Sequence, residues 1–160
     1  QYTKGSILSL WYARKELNED TLIMDADVLF HEKLLVKLVK SKVKNCFLLD
    51  ENFEDSGEEM KLFVTGDKVT GISKQSSYDY EIVGEGVGFL KLSENGGAIL
   101  KNVLEDFERA GRVNVEYEDA LHELLPQCSV GFETVGDLPW IEIDIEKARR
   151  EILPRLHKCP

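Results

Sequence analysis

The chain has 160 residues and a mass of 18.2 kDa, enough for one domain with a substantial core. With 42% hydrophobic and 31% charged residues it is neither disordered nor low in complexity, and no apolar run approaches the ~18 residues a membrane span needs. Its 20 basic and 30 acidic residues leave a net charge of −10, a balance that repels phosphate backbones and excludes broad nucleic-acid binding.

In chain order, Ile7, Leu10, Trp11 and Leu17 fall on one face and predict a first helix. The short run Thr21-Leu22-Ile23-Met24 reads as a buried parallel strand that stops at Asp25-Ala26-Asp27. Leu34, Leu35, Leu38 and Val39 predict a helix over 31–42, and Cys46-Phe47-Leu48-Leu49 a second buried strand. This α-β-α-β order implies crossover connections and a parallel sheet.

Residues 50–59 hold six carboxylates and no base, the composition of a solvated loop. Two β runs, 60–65 and 68–73, flank Gly66-Asp67 and predict a hairpin. A longer strand over 81–92 contains Gly84, Gly86 and Gly88, which leaves one face bare for a ligand or another backbone. Ile99, Leu100, Val103, Leu104 and Phe107 mark a helix over 94–110, capped by Gly111. A shorter helix over 117–125, a strand at Val130 and Phe132, and the run Trp140-Ile141-Glu142-Ile143-Asp144 follow. A closing helix uses Ile145, Ala148, Ile152 and Leu156, bent or ended by Pro154. The expected fold is α/β: a three-layer sandwich with a mixed, mostly parallel sheet, in a single domain.

Two acidic strand ends carry the chemistry. Ligands of open α/β sheets bind beyond the carboxyl ends of strands, where Asp25-Ala26-Asp27 and Glu142-Ile143-Asp144 stand. One or two carboxylates suffice for Mg²⁺ when waters and substrate phosphates complete its shell. The same residues also serve as plain strand-end caps. Lys74 is positioned to neutralise a substrate phosphate or is a surface lysine. Tyr117, Trp140 and Tyr78 or Tyr80 either face an ammonium group or pack in the core. Glu118 and Asp119 also suit a helix's first turn. His31, His122 and His157 have no ligand spacing. Cys46, Cys128 and Cys159 show no paired pattern and fit a reducing, cytoplasmic setting. Neither a Walker loop nor a dinucleotide-binding glycine motif is present, since Gly84-Glu85-Gly86-Val87-Gly88 has the wrong spacing.

Taken in order, these segments resemble a known family. Gly5-Ser6-Ile7-Leu8-Ser9-Leu10, Leu22-Ile23-Met24-Asp25-Ala26-Asp27-Val28-Leu29-Phe30, Gly71-Ile72-Ser73-Lys74, Val83-Gly84-Glu85-Gly86-Val87-Gly88, Tyr117-Glu118-Asp119-Ala120-Leu121 and Trp140-Ile141-Glu142-Ile143-Asp144 are similar to the sugar-nucleotidyltransferase-type (NTP transferase) domain. The phosphocholine cytidylyltransferase branch is the nearest in look, and the related architecture is that of nucleotide-diphospho-sugar transferases and A-type glycosyltransferases. The resemblance implies Mg²⁺ held by Asp27 and Asp144, a nucleotide side at Gly5, Ser6 and Asp25, Lys74 as the catalytic cationic residue that contacts the acceptor's phosphate, and an acceptor pocket of Glu85, Tyr117, Glu118 and Trp140. The implied reaction is attack of a phosphate or phosphonate oxygen on the α-phosphorus of a nucleoside triphosphate, CTP by branch, with release of pyrophosphate.

The family's amino-terminal strand and Gly-rich loop have no counterpart here. The expectation is therefore that residues 1–160 represent the carboxyl-terminal two-thirds of such a domain, without turnover alone. An exposed sheet edge would follow, covered by self-association or by further polypeptide. Two alternatives stay open: a metal-dependent glycosyltransferase that uses a nucleotide-sugar, and a non-catalytic nucleotide-binding module.

Overall fold

The computed structural model describes residues 5–75 and 79–143. The expected closing helix, Tyr78, His157, Cys159 and Asp144 lie outside the described residues. Among the described residues four α-helices, α1 (Ile7–Ala13), α2 (Glu32–Lys40), α3 (Glu94–Arg109) and α4 (Tyr117–Leu124), accompany eight strands. The strands are β1 (Thr21–Met24), β2 (Val28–Phe30), β3 (Cys46–Asp50), β4 (Lys61–Thr65), β5 (Lys68–Ser73), β6 (Ile82–Leu92), β7 (Gly131–Thr134) and β8 (Trp140–Glu142).

Local chemistry starts the helices where the sequence suggested. His31 caps α2, its Nδ1 accepting from the Lys33 N–H at 3.2 Å. Ser93 caps α3, its hydroxyl oxygen accepting from the Gly96 N–H at 3.3 Å. Leu100, Val103, Leu104 and Phe107 form the buried stripe of α3. The Gly66-Asp67 turn closes a two-residue hairpin that pairs Thr65 with Lys68.

Six strands form one sheet in the order β5-β4-β6-β3-β7, with β1 also paired to β6. Here one expectation is corrected. The sheet is mixed, but not mostly parallel: β3–β7 is parallel, while β1–β6, β3–β6, β4–β5 and β4–β6 are antiparallel. β1 and β3 do not pair with each other. Reversed β6 lies between them, and β1 is not buried as expected: Leu22 and Met24 are exposed, because an apolar run fixes neither strand direction nor which faces are covered.

Long β6 also sets the position of the site. Its Phe89–Leu92 half pairs with β1 and its Ile82–Glu85 half with β4, end to end along one edge. β3 follows the opposite edge with a register shift between Phe47 and Leu49. Side chains alternate between two cores. Leu90, Leu92, Phe47 and Leu49 pack beneath α1, α3 and α4. Val87, Phe89, Cys46 and Leu48 pack beneath α2 and the β2–β8 ribbon. The result is the expected three-layer α/β sandwich.

Candidate functional site

The site opens where β6 changes edge partner. The Gly86 N–H still donates to the Met60 C=O at 2.9 Å, and the Asp25 N–H to the Gly88 C=O at 3.0 Å. The four residues of these two bonds all line a cavity of about 230 Å³. Asp25, Lys74, Glu85, Tyr117, Glu118 and Glu142 line it. Five of these six were candidates from sequence, brought together from four distant segments.

Gly88 explains why Asp25 stands there. Its φ of +75° disfavours other residues, and a Cβ at Gly88 would lie 2.1 Å from Asp25 Oδ2. The bareness expected of the β6 glycines is thus partly filled by protein: Asp25 covers Gly88, and Leu49 with the Asp50 carbonyl covers Gly84. Gly86 and Gly88 still line the cavity. The Tyr117 hydroxyl donates to Asp25 Oδ2 at 2.9 Å and ties α4 to the end of β1.

The electrostatics are dominated by acid. Burial pushes the Asp25 carboxyl up to about 6; the Tyr117 hydrogen bond opposes this, and the charges of Asp27 and Glu142 add to it. Burial likewise pushes Glu118 up to about 7, against a backbone hydrogen bond and with help from Asp25, Glu116 and Asp119. Glu118 Oε2 is buried and has no hydrogen-bond partner among the described residues. Tyr117 is held well above its usual range by burial, then by the charges of Glu118 and Asp25. Lys74 is the one cationic side chain among the described residues that line the cavity. Its half-exposed ammonium stands 3.8 Å from Glu58 Oε2.

The remaining candidates stand around this centre. Gly5 packs against the Val115 backbone so closely that a Cβ would lie 1.9 Å from the carbonyl oxygen. Ser6 donates its hydroxyl to Glu116 Oε2 at 2.5 Å and accepts the Tyr117 N–H at 2.8 Å, which locks α1 to the start of α4. Ser6, Asp25 and Tyr117 also line a neighbouring, more apolar cavity between α1 and β1. Asp27 is exposed on the β1–β2 turn and does not line the first cavity; its C=O accepts the Ile143 N–H at 2.7 Å. Trp140 lines a third cavity that shares Glu58, Glu85 and Glu142 with the first. Its indole N–H donates to Asp50 Oδ2 at 2.7 Å. Tyr80 does not line the first cavity; its ring tilts against Phe63 at 5.3 Å. Sequence reading missed Glu58, placed in a solvated loop, and Lys61, discussed below. It noted Glu142 only as part of an acidic strand end.

No family model matches the sequence. Solved structures do match the fold. An inositol-1-phosphate CTP transferase from T. maritima superposes with a TM-score of 0.69 at 16% identity, covering 89% of this chain and 56% of that one. A CTP:phosphocholine cytidylyltransferase from Streptococcus pneumoniae gives 0.66 at 16% identity, covering 98% and 65%. The chain has the nucleotidyltransferase fold. A UTP-bound UGPase from Acinetobacter baumannii, at 0.61 and 13% identity over 96% and 57%, shares it as well. The chain therefore spans 56 to 65% of the length of these three solved chains. Within this fold, the cavity lies at the seam between the two edge partners of β6. Among the described residues, no helix is long and apolar enough to cross a membrane.

Proposed function

We propose that this chain contributes the acceptor side of a nucleotidyltransferase. The reaction joins a nucleoside triphosphate, with CTP favoured, to a small phosphorylated or phosphonate acceptor. An acceptor oxygen bonds to the α-phosphorus and pyrophosphate leaves. The observation that carries this reading is the convergence of Asp25, Lys74, Glu85, Tyr117 and Glu118 on one cavity of a nucleotidyltransferase fold. In this reading Lys74 holds the acceptor's phosphate or phosphonate. Glu85, Tyr117, Glu118 and Trp140 border the rest of the acceptor, and Gly5, Ser6 and Asp25 border the nucleotide. Little covalent work falls to such a protein, so positioning and charge neutralisation set the rate.

Mg²⁺ fits the donor chemistry. Asp27 is an exposed carboxylate at a strand end, and Mg²⁺ takes one or two carboxylates together with waters and phosphates. Asp27 and Asp144 would hold it. When bound, the ion neutralises charge that develops on the triphosphate. Among the described residues no three His, Cys, Asp or Glu side chains form a metal cluster, and a site of this kind does not need one.

The same reading takes residues 1–160 as one domain corresponding to the carboxyl-terminal two-thirds of such enzymes, with the triphosphate cradle outside it. Calorimetric titration with phosphoethanolamine in the presence of Mg²⁺ and CTP tests the acceptor side. Saturable binding is expected, weakened about tenfold in Lys74→Ala, the effect of one charge-assisted contact. Absence of binding at millimolar ligand, or equal binding by Lys74→Ala, would refute it. Preferential binding of a nucleotide-sugar would point instead to glycosyl transfer. Pyrophosphate release by the 160-residue chain alone would refute the part that puts the cradle elsewhere.

A further inference from the structure

Among the described residues, one polar or charged side chain is fully buried: Lys61, 3% exposed at the first position of β4. A buried ammonium is unfavourable unless it is paired and hydrogen-bonded. Lys61 Nζ has two partners, and neither belongs to β4. It pairs with Asp55 Oδ1 at 2.8 Å and donates to the Lys74 C=O at 2.9 Å. Asp55 belongs to the acidic loop after β3, and Lys74 directly follows β5. Each segment contributes a charged residue to the cavity lining, Glu58 from the loop and Lys74 itself.

The direct side-chain pair between these two rim segments adds little to this contact. The Lys74–Glu58 pair is 3.8 Å long with side chains 50% and 87% exposed, a pairing of small worth. The loop's own turn is keyed to the buried contact. Asp55 Oδ1, which pairs with Lys61, also accepts the Gly57 N–H at 3.0 Å. Glu59 Oε2 accepts the N–H groups of Ser56 and Gly57. The Lys61 backbone pairs across the sheet with Ser73 and with Glu85, a third residue of the cavity lining. Lys61 thus touches all three rim segments without lining the cavity.

We propose that Lys61 is a positioning residue that fixes the rim of the cavity. Its buried ammonium sets where the Glu58 carboxylate and the Lys74 ammonium stand. Ligand affinity then depends on a side chain that never meets the ligand. The ligand half of this proposal rests on the acceptor reading above, and the ordering half does not.

Two readouts on the full chain separate the halves: amide hydrogen exchange at Ser56 and Gly57, and titration with phosphoethanolamine. The variants are Lys61→Met, Lys61→Arg, Asp55→Ala and Lys74→Ala. Lys61→Met and Asp55→Ala are expected to speed exchange at both amides about tenfold and weaken binding about tenfold. Lys61→Arg keeps the charge and both acceptors, and should restore each value to within about threefold of the native chain. Lys74→Ala should weaken binding yet leave exchange unchanged, because Lys61 holds the backbone carbonyl of residue 74 and not its side chain. Asp55 is half-exposed, so if Lys61→Met does not fold, its variant keeps the test valid at Ser56, whose N–H bonds to Glu59 and not to Asp55. Unchanged exchange in Asp55→Ala would overturn the proposal. So would faster exchange with native affinity. If the native chain does not bind phosphoethanolamine, the acceptor reading fails, and exchange alone decides whether Lys61 orders the rim.

Discussion

Replacing Glu118 with Gln should stabilise the protein, and do so more strongly as pH rises. Burial raises this carboxyl from an ordinary 4.5 to about 7, and its Oε2 has no hydrogen-bond partner among the described residues. The folded chain therefore keeps the proton to higher pH than the unfolded chain does. That contribution to stability is complete below pH 4.5 and is lost as pH climbs through 7. The shift removes about 3 kcal/mol of stability by pH 8 and only about 1 kcal/mol by pH 5.5, both relative to pH below 4.5. Gln keeps the shape and never ionises. Its advantage over Glu should widen by about 2 kcal/mol between these two pH values, less any constant offset from its amide. Urea unfolding of both proteins with a chelator present, at pH 5.5 and 8, measures this and avoids the isoelectric region near 4.8. A difference that does not vary with pH would refute the account. If the Glu118 charge serves ligand binding, the same variant should bind phosphoethanolamine less well while being more stable.

Tyr117→Phe removes the hydroxyl that donates to Asp25. The Asp25 carboxyl should rise above its present value of about 6, followed by NMR titration, and stability at pH 8 should drop by about 1–3 kcal/mol. Gly88→Ala forces a Cβ into a positive-φ position 2.1 Å from Asp25 Oδ2; a loss of about 1–3 kcal/mol is expected by urea unfolding, with displacement of Asp25 visible in its shifted titration. Leu100→Ala empties a fully buried position on α3 and should cost about 2–5 kcal/mol without altering the titration of Asp25 or Glu118.

Elements whose signals are local were legible in the sequence. The stripe of α3, the Gly66-Asp67 hairpin and length of β6 follow from apolar spacing and turn chemistry. Strand direction was not legible. Thr21–Met24 and Cys46–Asp50 are both apolar runs between helices, though only the second is buried, and nothing within either says that reversed β6 lies between them. The acidic strand ends, Lys74 and the start of α4 were readable as candidates because their residue types suit phosphate and cation chemistry. Lys61 was hidden for the opposite reason. A lysine at the start of a strand looks like a solvated edge, and its burial depends on Asp55 and on a main-chain carbonyl of residue 74, 13 positions away. Only the uninterrupted apolar run Leu62-Phe63-Val64 beside it hinted at an interior position.

The cavity's acidity and its location have one structural origin. Along its edge, β6 passes from β4 to β1, and the sheet has a seam there rather than a continuous strand. A seam brings two strand ends, the hairpin exit and the first turn of α4 to one place, and each of these ends carries a polar residue. Elsewhere the sheet faces are filled by Leu, Val and Phe, and its fully buried positions are apolar apart from Lys61. Stability is given up at the seam, where burial makes the ionised forms of Asp25 and Glu118 unfavourable. Raised carboxyls gathered at one opening, with a buried lysine fixing its rim, are better explained by a ligand than by folding, because an apolar seam would have made the more stable sheet.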